Sequence, residues 1–294
     1  MRDLFGLGWR FPLAGRILAA VDRLDVVEVI AEDWTERPAR QQHALRTLSA
    51  QIPVVLHGVS LGLASSVPVD EKRLDAFARV VDLARPAFWS EHLAFVRGGG
   101  IEIGHLAAPP RCAATIEGTV RNVARARAVV GSAPLLENVA TLIDPPGSDR
   151  DEAAFVSEVL EACDTDLLLD LHNLHANARN FCFGEEGEKE EEKEEEDFLR
   201  RVPMRRVRAV HLAGGRPIPV PRGRGETRLL DDHLHPVPDV VFSLLERVGA
   251  MAPPPLTVIL ERDGLFPPFE ELLNELERAR TGLAAGRARR EVAA

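Results

Sequence analysis

The chain of 294 residues contains no tyrosine, only three cysteines and no long apolar run. Cys112, Cys163 and Cys182 form no C-x-x-C pair, which argues against a thiolate-held zinc or iron–sulfur site and suits a reducing compartment. No apolar stretch reaches the roughly 18–20 residues of a membrane span, and the first residues lack the apolar core of a signal peptide. We therefore expect a cytoplasmic protein with no membrane partner.

Negative charge is concentrated in a single segment, residues 185–197. The net charge is −10, and residues 185–197 hold ten acids and two lysines, which account for −8 of it. Because like charges this dense repel one another, we predict that residues 185–197 form a disordered, solvated loop insertion. Docking of a basic peptide or partner is the minority alternative. The chain offers no basic surface, so we expect no nucleic acid partner.

Short apolar runs alternate with helix-like stretches along the whole chain. This alternation predicts βαβ units and a parallel sheet, and eight such units fit a single (β/α)₈ TIM barrel over residues 1–284, followed by a frayed tail at 285–294. The sequence lacks a G-x-G-x-x-G motif after the first strand, a P-loop, a G-x-S-x-G elbow and an H-E-x-x-H helix. The predicted strands are Leu4–Trp9, Val26–Ala31, Val54–His57, Phe88–His92, Leu135–Glu137, Leu167–Asp170, Val207–His211 and Leu256–Glu261.

Most of these runs end on a side chain that can bind a metal. Each one alone has a structural explanation; Asp170, for example, could cap the segment that follows it. Together they would bury several carboxylates at one end of a barrel, which costs several kcal/mol each unless a cation pairs with them. The nine candidate ligands are His57, His92, Glu137, Asp170, Asn173, His211 and Glu261 at or near strand ends, with Asp231 and His233 in the loop after the seventh strand.

Nine ligands are too many for one ion, which takes about four to six, so the count predicts a cluster of two or three ions. Imidazole and carboxylate without thiolate suit iron, manganese or zinc. Residue types and spacing do not separate iron from zinc.

A combination of short motifs then resembles a known family, the multinuclear non-haem iron-dependent oxidative enzymes, which includes the methanobactin biosynthesis oxidase and the thiaglutamate biosynthesis enzyme. The resemblance runs from about Leu4 to Phe269. The matching motifs are Gly6-Leu7-Gly8-Trp9-Arg10, Glu32-Asp33-Trp34, His57-Gly58-Val59-Ser60-Leu61-Gly62, Ser90-Glu91-His92-Leu93, Leu136-Glu137-Asn138, Leu168-Leu169-Asp170-Leu171-His172-Asn173, His211-Leu212-Ala213-Gly214, Asp231-Asp232-His233 and Glu261-Arg262-Asp263.

The resemblance implies a TIM barrel that carries two or three Fe(II)/Fe(III) ions on the nine ligands named above. It also implies oxidation of a residue, usually cysteine, in a ribosomally made precursor peptide, with O2 as co-substrate and a separate leader-recognition protein as partner. His172 and His175 stand where many relatives have Asn and Tyr, which leaves open whether His175 is a further ligand. Asp263 is our candidate catalytic base beside the metal ligands, and Glu32 and Arg262 are more readily explained as structural residues.

Two other classes of function remain as alternatives. One is a xylose-isomerase-like sugar isomerase or an endonuclease-type hydrolase, since both have a rim of histidines and carboxylates. The other is a non-catalytic metal-binding barrel, which would have no reason to keep costly carboxylates together.

Overall fold

A computed structural model of the chain describes residues 2–182, 187–220 and 226–293. The described strands are β1 Leu4–Gly8, β2 Val26–Ile30, β3 Val54–Gly58, β4 Trp89–His92, β5 Phe95–Gly98, β6 Ile101–Ala107, β7 Leu135–Glu137, β8 Leu167–Asp170, β9 Val207–Leu212, β10 Gly215–Pro219, β11 Thr227–Asp231 and β12 Thr257–Leu260. The described α-helices are α1 Ala14–Ala19, α2 Glu32–Thr35, α3 Ala39–Ser49, α4 Glu71–Ala84, α5 Ala113–Val130, α6 Glu152–Cys163, α7 Leu171–Phe181, α8 Gly187–Arg201, α9 Asp239–Met251 and α10 Phe269–Ala293.

Eight of the strands form a closed parallel barrel. They are neighbours in the order β1, β2, β3, β4, β7, β8, β9 and β12, and β12 closes on β1. Every residue of β3, β8 and β12 is buried, which is typical of parallel strands covered on both faces and explains why they read as continuous apolar runs. The predicted TIM barrel is confirmed, and the eight predicted strands agree with the observed ones to within one residue at each end.

The chain divides into two compact units. The N-terminal unit comprises residues 6–137 and 145–168, and it carries β2 to β7 and α1 to α6. The C-terminal unit comprises residues 2–5, 138–144 and 169–293, and it carries β9 to β12 and α7 to α10. The prediction of one domain over residues 1–284 stays a prediction.

Two antiparallel hairpins lie outside the barrel and were not predicted. β5 pairs with β6 in the N-terminal unit, and β10 pairs with β11 in the C-terminal unit. The first hairpin follows β4 after only two residues, and the second follows β9 after two residues. Both hairpins therefore begin where a barrel strand that carries a predicted ligand ends.

The predicted disordered loop at 185–197 is wrong for residues 187–197, which belong to helix α8. Local repulsion is offset by bonds to other helices. Glu195 is buried and its Oε1 lies 2.8 Å from His175 Nδ1, while Arg247 bonds Glu192 and Glu196 at 2.5 and 3.2 Å. Residues 185 and 186 lie outside the described residues.

The predicted frayed tail is also wrong for residues 285–293, because α10 continues to Ala293. Arg287 holds the end of α10 in place. Its guanidinium donates to both carboxylate oxygens of Asp3, at 3.0 and 3.1 Å, and to the carbonyl oxygens of Gly249 and Ala252. Residue 294 lies outside the described residues. No helix in the described parts of the chain is both long and apolar enough to cross a bilayer.

Candidate metal centre

Three predicted ligands of the N-terminal unit lie together; we call His57, His92 and Glu137 the N-terminal ligand group. They stand at or next to the carboxyl ends of β3, β4 and β7. One oxygen, Glu137 Oε2, lies 3.4 Å from His57 Nε2 and 3.4 Å from His92 Nε2. Their ligand atoms all lie within 4.8 Å of one another, so one ion could contact all three.

Hydrogen bonds fix which nitrogen each of these histidines offers. His92 Nδ1 lies 3.2 Å from the Gly58 carbonyl oxygen, which can only accept, so Nδ1 carries the proton. Ser90 Oγ donates to the Leu56 carbonyl and is left to accept from His57 Nδ1 at 2.8 Å. Both rings therefore turn Nε2 toward Glu137, the arrangement seen in metal-ligating histidines whose other nitrogen is held.

Two further carboxylates hold the loop that follows β3. Glu32 Oε1 accepts the backbone N–H groups of Val59 and Ser60 at 2.9 and 2.8 Å, and Glu91 Oε2 accepts that of Leu61 at 3.0 Å. Burial, with the nearby charge of Glu91, raises the pKa of Glu32 to about 7. Glu32 thus has a structural role, as the sequence suggested, because it fixes the loop next to His57.

The C-terminal unit holds a second set, Asp170, His233 and Glu261, which we call the C-terminal ligand group. Asp170 ends β8, Glu261 follows β12 directly, and their ligand atoms and that of His233 lie within 4.8 Å of one another. His211, near the end of β9, adds an imidazole whose Nδ1 lies 3.1 Å from Glu261 Oε2. Asp231, at the end of β11, lies 2.9 Å from His233 Nε2.

The buried negative charges of the C-terminal ligand group would be stabilised by a cation. Burial alone would lower the pKa of His233, but the charges of Glu261 and Asp231 outweigh it and raise the pKa well above its usual value. Burial would likewise raise the pKa of Asp231, but His233 holds that pKa well below its usual range. A carboxylate-rich, buried site can take either a proton on His233 or a metal ion.

Helix α7 supplies the ninth predicted ligand, Asn173. Asp170 Oδ1 caps the helix by accepting the Asn173 backbone N–H at 2.6 Å, so the structural role considered for Asp170 is confirmed. The Asn173 side-chain Nδ2 donates to the Asn138 carbonyl at 3.0 Å, and Asn138 bonds both backbone polar groups of Asp170 at 2.9 Å. Asn173 Oδ1 is buried and has no hydrogen-bond partner within the described residues, which suits an oxygen that binds a cation.

Two further buried polar residues, one in each unit, were not among the predicted ligands. His172 is fully buried, and its Nδ1 lies 2.7 Å from Asp231 Oδ1; the sequence drew attention to it only as a departure from the family motif. Glu28 is a buried carboxylate in the middle of β2. His175 bonds Glu195 through Nδ1 instead of joining the C-terminal ligand group.

The remaining candidates, Arg262 and Asp263, follow Glu261 in the chain. Asp263 Oδ2 lies 3.5 Å from His233 Nδ1, and its side chain is 40% exposed. Arg262 is buried and pairs with Glu275 of α10 at 3.2 Å, which fits the structural role expected of it. All nine predicted ligands are thus placed in one or the other unit beside at least one other candidate, while a single shared cluster stays a prediction.

The chain matches known proteins along nearly its whole length. The family model described as "RiPP precursor modification enzyme MbnB/TglH/ChrH" matches residues 4–284. The chain belongs to this family. Its relatives among curated proteins include a UPF0276 protein of Rhizorhabdus wittichii, 33% identical over 283 residues and covering 95% of this chain and 94% of that protein. A UPF0276 protein of Caulobacter vibrioides is 32% identical over 286 residues and covers 97% and 96% of the two chains.

Solved structures place this MbnB/TglH/ChrH family member among TIM barrels. Endonuclease IV from Thermus thermophilus aligns with a TM-score of 0.58 at 18% identity, covering 96% of this chain and 99% of that one. An L-ribulose 3-epimerase aligns with a TM-score of 0.53 at 14% identity, covering 99% and 98%. At such identities the likeness concerns the fold alone, so family membership carries the functional argument: the chain is a member of a family of enzymes that modify RiPP precursor peptides.

Proposed function

We propose that the protein is an iron-dependent oxidoreductase that uses dioxygen to oxidise a residue, most often cysteine, in a ribosomally made precursor peptide. The observation that carries the proposal is the pair of ligand groups, built from imidazole, carboxylate and amide donors in a member of this family. None of the predicted ligands is a thiolate, and this donor set is typical of non-haem iron. The three cysteines form no disulfide, which suits the cytoplasmic reaction that we propose.

The donors present fit iron. His57, His92 and Glu137 would hold one ion, and Asp170, His233 and Glu261 would hold another; His211, Asn173 and Asp231 complete the set of nine. This arrangement supports at least two ions, and a third stays open. Bound iron would supply redox chemistry with dioxygen and would keep the substrate thiol deprotonated.

The protein's own side chains would prepare the site. Ser90 and the Gly58 carbonyl hold the rings of His57 and His92 so that Nε2 is the ligating atom. Asp263 is the proposed proton acceptor, because its partly exposed carboxylate lies beside His233 and within reach of a substrate at the rim. Dioxygen would accept the electrons removed from the peptide, and a separate leader-recognition protein would present the peptide.

The experiment combines metal analysis with peptide turnover. Protein made with iron available and purified without oxygen should contain two or three iron ions per chain. It should change the mass of the precursor peptide only when dioxygen is supplied. Glu137→Ala should lose metal and activity together, because it removes the oxygen that faces both imidazoles. The matched control is Glu158→Ala, which removes an exposed carboxylate on α6 and should change neither.

Three results would contradict the proposal. One zinc ion per chain with full activity would exclude iron as the working metal. A mass change that does not require oxygen would exclude oxidation by dioxygen. Turnover of a free sugar, or cleavage of DNA, with no change in the peptide would assign the isomerase or hydrolase alternative.

A further inference from the structure

Extended peptides often bind by adding a strand to an exposed sheet edge, and a closed barrel offers no such edge. Among the described residues, the two hairpins outside the barrel are therefore the elements that could bind a peptide in that way. In the second hairpin, the Asn180 side chain already bonds both backbone groups of Leu229 in β11, at 2.7 and 3.0 Å. Its other strand, β10, contains Pro217 and Pro219, which have no N–H to donate.

The first hairpin, β5 with β6, differs from the second in how its strand edges are covered. Its strand β5 lies against the loop after β3, where a side chain on Gly62 would come within 3.1 Å of the Val96 backbone nitrogen. Strand β6 has only β5 as a strand neighbour within the described residues, and its first five residues are exposed. Ile101 is 70% exposed and Ile103 is 43% exposed. They form a short apolar stripe ahead of Gly104, whose φ is +74°, in the part of the strand where the pairing with β5 becomes irregular.

This hairpin is held firmly beside a ligand-bearing loop. The Arg97 guanidinium donates to the carbonyl oxygens of Ser60 and Leu61 at 3.2 and 2.8 Å. Glu102 pairs with Arg73 of α4 at 3.0 Å. The loop at 58–62 follows His57 directly, and β5 begins three residues after His92. The hairpin therefore follows one member of the N-terminal ligand group in the chain and contacts the loop that follows another.

We infer that β6 is the docking edge for the precursor peptide, which adds to the hairpin as a third antiparallel or parallel strand and packs apolar side chains on Ile101 and Ile103. The inference rests on the proposed function for the identity of the occupant. An isolated two-stranded hairpin is only marginally stable, and an added strand supplies further backbone hydrogen bonds to it. A peptide aligned on β6 would be anchored on the same hairpin whose arginine fixes the loop of His57.

The probe is a labelled, full-length, cysteine-containing precursor peptide, used with the iron-loaded protein under anaerobic conditions. Binding without turnover keeps this test separate from the proposed reaction. Hydrogen–deuterium exchange of the amides of residues 101–107 should slow when the peptide is bound. Backbone N-methylation of the peptide at alternate residues should abolish this protection, since it removes the donors that a strand contributes.

A double variant, Ile101→Glu with Ile103→Glu, should raise both Kd and KM roughly two- to thirtyfold, the effect of losing two cross-strand pairs, with kcat at saturation unchanged. Its control is Leu18→Glu on α1, an apolar side chain with similar exposure, 43%, which should leave Kd unchanged. Both substituted positions are exposed, so thermal melting should show folded proteins.

The inference is overturned if the peptide binds without protecting residues 101–107, if it does not bind, or if the double variant binds as the wild type does. Protection of this edge by a recognition protein alone would assign it to that protein and also overturn the inference. Binding and protection without oxidation of the peptide would instead refute the proposed function and leave the docking edge standing.

Discussion

Glu32 provides a quantitative test of how the loop beside His57 is held. Its carboxylate accepts two backbone N–H groups through Oε1, whereas Oε2 is buried with no hydrogen-bond partner within the described residues. Burial and the neighbouring charge of Glu91 raise its pKa from 4.5 to about 7. The Glu32→Gln variant keeps an oxygen acceptor for both N–H groups and removes the ionisation.

The sign of the effect follows from the raised pKa. Below pH 4.5 the carboxyl is protonated in both the folded and the unfolded state, so its contribution to stability is fully present. As the pH rises through about 7, the folded protein must ionise a carboxyl in an unfavourable site, and this stability is lost. A rise from 4.5 to about 7 corresponds to at most about 3 kcal/mol, and since Glu32 is only partly buried by its surface area we expect about 1–3 kcal/mol.

The assay is urea unfolding of metal-free protein at several pH values between 5 and 8. The difference in the free energy of unfolding between Glu32→Gln and wild type should move in favour of the variant by about 1–3 kcal/mol across this range. The exposed neighbour Asp33 provides the control, because Asp33→Asn changes the same chemical group on the same helix. A pH-independent difference for Glu32→Gln would refute the reasoning.

Three further predictions concern the C-terminal unit. His172→Asn should weaken metal binding about 10–100-fold with little change in melting temperature, because His172 orients Asp231; unchanged affinity in metal titration would contradict this. Glu195→Ala should destabilise the protein by about 1–3 kcal/mol, because it leaves His175 Nδ1 without its buried hydrogen-bond partner; this is measured by denaturation, and no loss is expected for the exposed Glu194→Ala. Arg287→Met should likewise lower the melting temperature, and an unchanged value would show that the end of α10 frays.

The barrel strands could be predicted from the sequence because each is a short, largely buried apolar run. The two hairpins could not be predicted from the sequence. Strand β6 alternates Ile101 and Ile103 with polar residues but remains exposed, so its pattern suggests no buried face. Strand β10 contains two prolines, which ordinarily argue against a strand.

Helix α8 shows the limit of arguments from local charge. Its glutamates repel one another within the segment, but the groups that offset this repulsion, His175 and Arg247, lie 20 and 51 or more positions away in the chain. The ligand types could be predicted because they share strand ends. The hydrogen bonds that orient them could not, since Ser90, Asn138 and His172 acquire their roles only when distant segments meet.

Asparagines of α7 give the C-terminal unit a scaffold that does not respond to acidity. Asn173 bonds the Asn138 carbonyl, Asn177 bonds the backbone groups of Val139 and Thr141, and Asn180 bonds Thr141 and Leu229. Spaced by four and three positions, the three side chains lie along one face of the helix. Because amides neither gain nor lose protons, the frame should keep its shape across the pH range, and any pH dependence of metal binding in this unit should originate in the ligands themselves.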